Sequence, residues 1–86
     1  MYQTGTLDFG IAPFLLRHDG VYDETRSPAY LIEFQGAGHL AWTDLNPRFQ
    51  SSIMDYSLAF LNRYLKGDQS ADPGRRGSGV AEVRVK

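Results

Sequence analysis

Residues 29–34 form a nearly unbroken apolar run in which Tyr30, Leu31, Ile32 and Phe34 are interrupted only by Glu33. A strand with one wet face alternates, whereas one apolar throughout has both faces covered. The chain must therefore place structure on both sides of this strand. At 86 residues and 42% hydrophobic it is globular in character and holds one domain at most, with a modest core.

A second strand-like run occupies 1–6, where Gly5 allows a sharp bend at its end. The connector over 9–28 is punctuated by Gly10, Pro13, Gly20 and Pro28. It contains a short helix at 12–17 with Pro13 in the first turn, followed by a polar surface loop at 18–27. Beyond residue 42, Asn46-Pro47 offers an N-cap and a first-turn proline. Met54, Leu58, Leu61 and Leu65 then recur at helical spacing, and Ile53, Phe60 and Tyr64 widen their stripe. Arg63 and Lys66 suit the helix C-terminus, and Gly67 suits a left-handed cap. Residues 69–86 read as a flexible linker and tail, rich in Ser, Gly, Pro and Asp as far as 79, with imperfect alternation over 80–86 suggesting a short edge strand.

Charge and composition narrow the partners. A formal net charge of −1 gives no electrostatic reason for nucleic acid or an anionic membrane to bind. The cations Arg75, Arg76, Arg84 and Lys86 read as a solvated end. Without cysteine there is no disulfide frame and no thiolate zinc site, and the compartment leaves no mark on the sequence. No apolar stretch approaches the ~18 residues of a membrane span, and the N-terminus lacks the form of a signal peptide, so a soluble chain is expected.

The chemistry-bearing residues sit where the strands end. Two strands joined by so long a connector are expected to be parallel, since a hairpin needs only a short turn. Open α/β sheets bind ligands beyond the carboxyl ends of their strands. That places Asp8, after Gly5-Thr6-Leu7, and His39, after Gly36-Ala37-Gly38, on one rim. A carboxylate there accepts the imidazole Nδ1–H, fixes the tautomer and stabilises the imidazolium formed when Nε2 takes a proton. Alone, His39 reads as a surface-turn histidine and Asp8 as a turn residue or helix cap; together they are two thirds of a catalytic triad. His18 and Asp19 do not join them at the spacing of a metal-ligand set, and neither metal nor cofactor is expected. Trp42 and the tyrosines and phenylalanines read as core or pocket wall.

Gly5-Thr6-Leu7-Asp8, Ser27-Pro28, Gly36-Ala37-Gly38-His39, Trp42-Thr43-Asp44 and the helix ending in Lys66-Gly67-Asp68 together resemble the C-terminal portion of an α/β-hydrolase, over residues 1–68. The dienelactone hydrolase-like branch, with platelet-activating-factor acetylhydrolase-like and chlorophyllase-like esterases, is the most similar in flavour. The resemblance implies a partial α/β-hydrolase fold: the last two parallel strands, a connector helix and the C-terminal helix. It also implies that Asp8 is the triad acid, that His39 is the base, and that the substrate is a small carboxylic ester or lactone. In that family the serine stands upstream on a G-x-S-x-G elbow. No such motif occurs here, and Ser27, Ser51, Ser52, Ser57, Ser70 and Ser78 lack a strand-turn-helix setting. The chain is thus expected to be the tail of a serine hydrolase, as a truncated frame or a fragment. Unpaired strand edges and a stripe broader than two strands can cover predict a homo-oligomer. The alternative expectation is a non-catalytic oligomerising module with Asp8 and His39 as relics.

Overall fold

The computed structural model describes residues 1–42 and 47–86. Strand β1 (Tyr2–Gly5) runs parallel to β2 (Tyr30–Phe34), with Tyr2 opposite Leu31 and Gly5 opposite Phe34. The long connector returns the chain to the same end of the sheet, which a hairpin cannot do. Strand β3 (Val80–Val85) lies antiparallel on the other side of β2, pairing Tyr30 with Val85 and, across an irregularity, Phe34 with Val80. The result is an α/β mixture around a three-stranded mixed sheet of order β1-β2-β3. The expectation that both edges of the parallel pair stay open is therefore corrected. β3 covers β2, while the outer edge of β1 meets no strand among the described residues.

The two faces of β2 carry separate clusters, as its continuous apolar character requires. Ala29 and Leu31 pack with Leu15 and Tyr22 on one side, joined by Tyr2 and Leu16. Ile32 and Phe34 pack on the other with Ala37, Ala41, Phe49, Tyr56 and Val80. Helix α1 (Ala12–Leu16) stands where Pro13 and the apolar pattern place it. Residues 18–27 are not all loop, however, because α2 (Val21–Glu24) forms within them. Tyr22 is the reason: it is 4% exposed and fills the Leu15–Leu31 cluster.

All four tail cations are engaged rather than solvated: Arg76 Nη2 donates to the Ala81 carbonyl at 2.9 Å, and the Arg75 guanidinium stands over the Tyr56 ring. Lys86 Nζ donates to the carbonyls of Tyr22 and Asp23 at 2.8 and 2.9 Å and stands 4.7 Å from the centre of the Tyr22 ring. Arg84 Nη1 donates to the Leu16 carbonyl at 2.9 Å, and its Nε to Glu82 Oε1 at 2.8 Å. Lys86 and Arg84 both meet carbonyls at helix C-termini, where the orphan acceptors and the dipole favour positive charge.

Helix α3 (Gln50–Leu65) follows a 3-10 turn at Pro47–Phe49, and the proposed cap Asn46 lies outside the described residues. Gly67, at φ +69°, takes the left-handed position after its end. The face α3 turns to the sheet is not the one with the cleanest spacing. Tyr56 is buried, and Phe60 meets Tyr30 edge-on at 5.8 Å. Met54, Leu58, Leu61 and Leu65 stay 56, 49, 44 and 78% exposed. A three-stranded sheet has room for only part of the apolar arc. No helix among the described residues is long and apolar enough to cross a membrane.

Glu33 and Glu82 face each other across β2 and β3. Burial, and then the Glu82 charge, raises the Glu33 carboxyl above its ordinary value, with Arg84 opposing. A raised carboxyl binds its proton more tightly in the folded state, so its ionisation weakens the fold as pH rises through that range. Glu33→Gln is expected to stabilise the chain by about 0.2–1 kcal/mol at pH 7, as expected for relieving a like-charge pair. The gain should shrink as pH falls through the raised range and be gone below about pH 4.3, the ordinary glutamate value. Urea titrations of both proteins at the two pH values check this.

Candidate active site

The carboxyl ends of β1 and β2 are locked together by backbone before any site side chain is placed. Thr6 N–H donates to the Phe34 carbonyl and Leu7 N–H to the Ala37 carbonyl, both at 3.0 Å. In return Gly36 N–H donates to Thr6 Oγ1 at 2.8 Å. Gly36 turns the chain at φ +81°, a conformation that glycine adopts without penalty. Gly5 serves a different purpose, close approach. A Cβ on it would lie 2.0 Å from the Ala37 oxygen and 2.5 Å from the Ala37 carbonyl carbon. No other residue lets the two turns touch in this way.

From this rim come Asp8 and His39. The Asp8 carbonyl accepts from the amides of Ile11 and Ala12, which begins the turn into α1 and fixes the residue's backbone. His39 opens a 3-10 turn, His39–Trp42, tied by Ala41 N–H to the Gly38 carbonyl at 3.1 Å. His39 Nδ1 and Asp8 Oδ2 are 3.3 Å apart. A carboxylate only accepts, so the hydrogen of this contact belongs to Nδ1. The separation is just beyond the usual N–H···O range. The carboxylate side chain is 8% exposed and the imidazole 75%. A buried acid thus meets a largely exposed ring.

The pair lines a cleft of ≈ 320 Å³ with Gln3, Ile11 and Trp42. Trp42, expected from the sequence to be core or pocket wall, lines the cleft and also leans on Phe34 at 6.2 Å between ring centres. Gln3 was not anticipated. Its Nε2 donates to Ser57 Oγ at 3.0 Å, so a polar side chain within β1 ties the sheet to α3 beside the cleft. The available signal is a glutamine inside a strand-like stretch. No serine lines the cleft among the described residues. Thr43 and Asp44 of the Trp42-Thr43-Asp44 motif lie outside them.

His18 belongs elsewhere. It faces Asp19 at 3.5 Å and Asp23 at 3.7 Å, with its side chain 91% exposed. It shares no cluster with Asp8 and His39, and among the described residues no three potential metal-ligating side chains gather. Compared with models of known protein families, with curated proteins and with solved structures, the chain matches none.

Proposed function

We propose that this chain supplies the acid and the base of a hydrolytic triad acting on small carboxylic esters or lactones. Asp8 is the acid and His39 the general base; the serine comes from a segment or partner chain outside this sequence. The reading is supported by one observation above all: the 3.3 Å contact between a buried carboxylate and an exposed imidazole at the ends of adjacent parallel strands. The resemblance to the C-terminal part of dienelactone hydrolase-like enzymes agrees with it, as does the shared rim. In this mechanism His39 Nε2 takes the serine proton as Oγ attacks the carbonyl. The imidazolium then returns that proton to the leaving alcohol, giving an acyl-serine that water clears by the same relay. Asp8 keeps Nδ1 protonated and offsets the positive charge that appears on the ring.

Without the serine, His39 can still act on water or attack an activated ester directly, and a positioned base contributes about 10²–10⁴ in rate. The chain is therefore expected to hydrolyse p-nitrophenyl acetate slowly but above the buffer rate. His39→Ala should remove nearly all of that excess, about 10²-fold, and Asp8→Asn most of it. His18→Ala, an exposed histidine without a buried acid, should leave it in place. A specific observation favours a second reading, a non-catalytic oligomerising mini-domain in which the two residues are relics. Met54, Leu58, Leu61 and Leu65 are exposed on α3, and the outer edge of β1 has no strand beside it among the described residues. The same assay separates the two, because identical rates for all four proteins contradict the first reading and favour the second.

A further inference from the structure

A groove of ≈ 430 Å³ opens beside the cleft, lined by Ala41, Trp42, Gln50, Ile53 and Met54. It shares Trp42 with the cleft that holds Asp8 and His39. The link is built into the local backbone. In a 3-10 turn the side chains at i and i+3 eclipse, so His39 and Trp42 project from one side of the His39–Trp42 turn. Trp42 thus lines both the cleft and the groove, and His39 the cleft. No charged side chain lines the groove among the described residues. Among the described residues of the lining, a charged group entering it finds no ion-pair partner to offset the hydration it loses.

Resting on the reading of Asp8 and His39 as a hydrolytic acid and base, we infer that this groove holds the apolar acyl arm of the ester. A carbonyl held at the imidazole edge has its arm directed past the indole toward Ile53 and Met54. The substrate class is then the ester of an uncharged aliphatic acid, and esters ending in a second carboxylate are excluded.

Trp42 is the single tryptophan of the chain, so its emission reports on the groove directly. Titration of the full chain with ethyl acetate, ethyl butyrate, ethyl hexanoate and ethyl octanoate is expected to shift that emission saturably to shorter wavelength. The midpoint should fall about two- to fourfold per added methylene, approaching the full transfer value. Monoethyl adipate, as long as the hexanoate but charged at its end, should leave the emission unmoved. Met54→Asp should abolish the response with the circular dichroism spectrum retained, since Met54 is exposed. Leu65→Asp, at the far end of the same stripe, should not abolish it. Lack of chain-length dependence, an equal response to adipate, survival in Met54→Asp or loss in Leu65→Asp would each overturn the inference. His39→Ala keeps the two claims apart. If it binds the series as the unmutated chain does while hydrolysis proves independent of His39, the groove assignment stands and the catalytic reading falls.

Discussion

Replacing Gly5 with alanine is expected to destabilise the chain by about 3 kcal/mol or more, at the upper end of overpacking costs. The new methyl would sit 2.0 Å from the Ala37 oxygen, 2.5 Å from its carbonyl carbon and 2.6 Å from its Cβ. Two of those atoms are backbone, so no rotamer change relieves the clash. The turn over 36–39 must lift away from β1, breaking the Leu7–Ala37 and Thr6–Gly36 hydrogen bonds and separating Asp8 from His39. Against a total stability of roughly 5–15 kcal/mol for a domain, a large part of the margin is lost. Gly36→Ala provides the contrast. Nothing lies within 4 Å of its added methyl, so only the positive φ is penalised, by about 1–2 kcal/mol. Urea unfolding should rank the two in that order, and Gly5→Ala should lose His39-dependent ester hydrolysis even where it remains folded. A Gly5→Ala protein as stable as the unmutated chain contradicts the packing of the rim.

Tyr56→Ala is expected to be at least as damaging, costing about 3–5 kcal/mol, the range for truncating a buried aromatic ring. The ring is 2% exposed and meets Phe34 edge-on at 5.8 Å, with the Arg75 guanidinium 5.0 Å from its centre. Its hydroxyl donates to the Arg75 carbonyl at 2.7 Å and accepts from Gly77 N–H at 2.8 Å. One side chain thus joins α3, the centre of the sheet and the segment that leads into β3. Tyr56→Phe keeps the ring and removes both hydrogen bonds, for about 1–3 kcal/mol. In a thermal scan each kcal/mol should appear as a fall of about 4–8 °C in Tm for a chain of this size. If Tyr56→Phe were neutral, the path of the chain over 75–77 would have to be redrawn.

Much of this arrangement is legible in the sequence, for physical reasons that also mark where legibility ends. The apolar run at Tyr30–Phe34 demands two covered faces, and the long connector demands a parallel partner; both are present. Those two facts bring Asp8 and His39 to one rim. Pro13 marks the start of α1 and Gly67 the end of α3, because each constrains its own backbone. What escapes is whatever depends on contacts distant in the chain. Helix α2 is four residues long and carries no period; Tyr22 and the reach of Lys86 from the other end of the chain hold it. The choice of Tyr56 over the Met54–Leu58–Leu61–Leu65 stripe depends on how far the sheet extends, which helical spacing does not encode. The contact of Gly5 with Ala37 is likewise invisible until the two strands are laid side by side.

The account rests on Asp8 holding the His39 ring with its hydrogen on Nδ1. Long-range proton–nitrogen correlation spectra of the chain, recorded where the imidazole is neutral, observe this directly. They are expected to show the Nδ1–H tautomer at His39, reverting in Asp8→Ala to the Nε2–H-dominated pattern of an imidazole with no acidic neighbour. A His39 that shows the free pattern in the unmutated chain, or one that Asp8→Ala leaves unchanged, contradicts it.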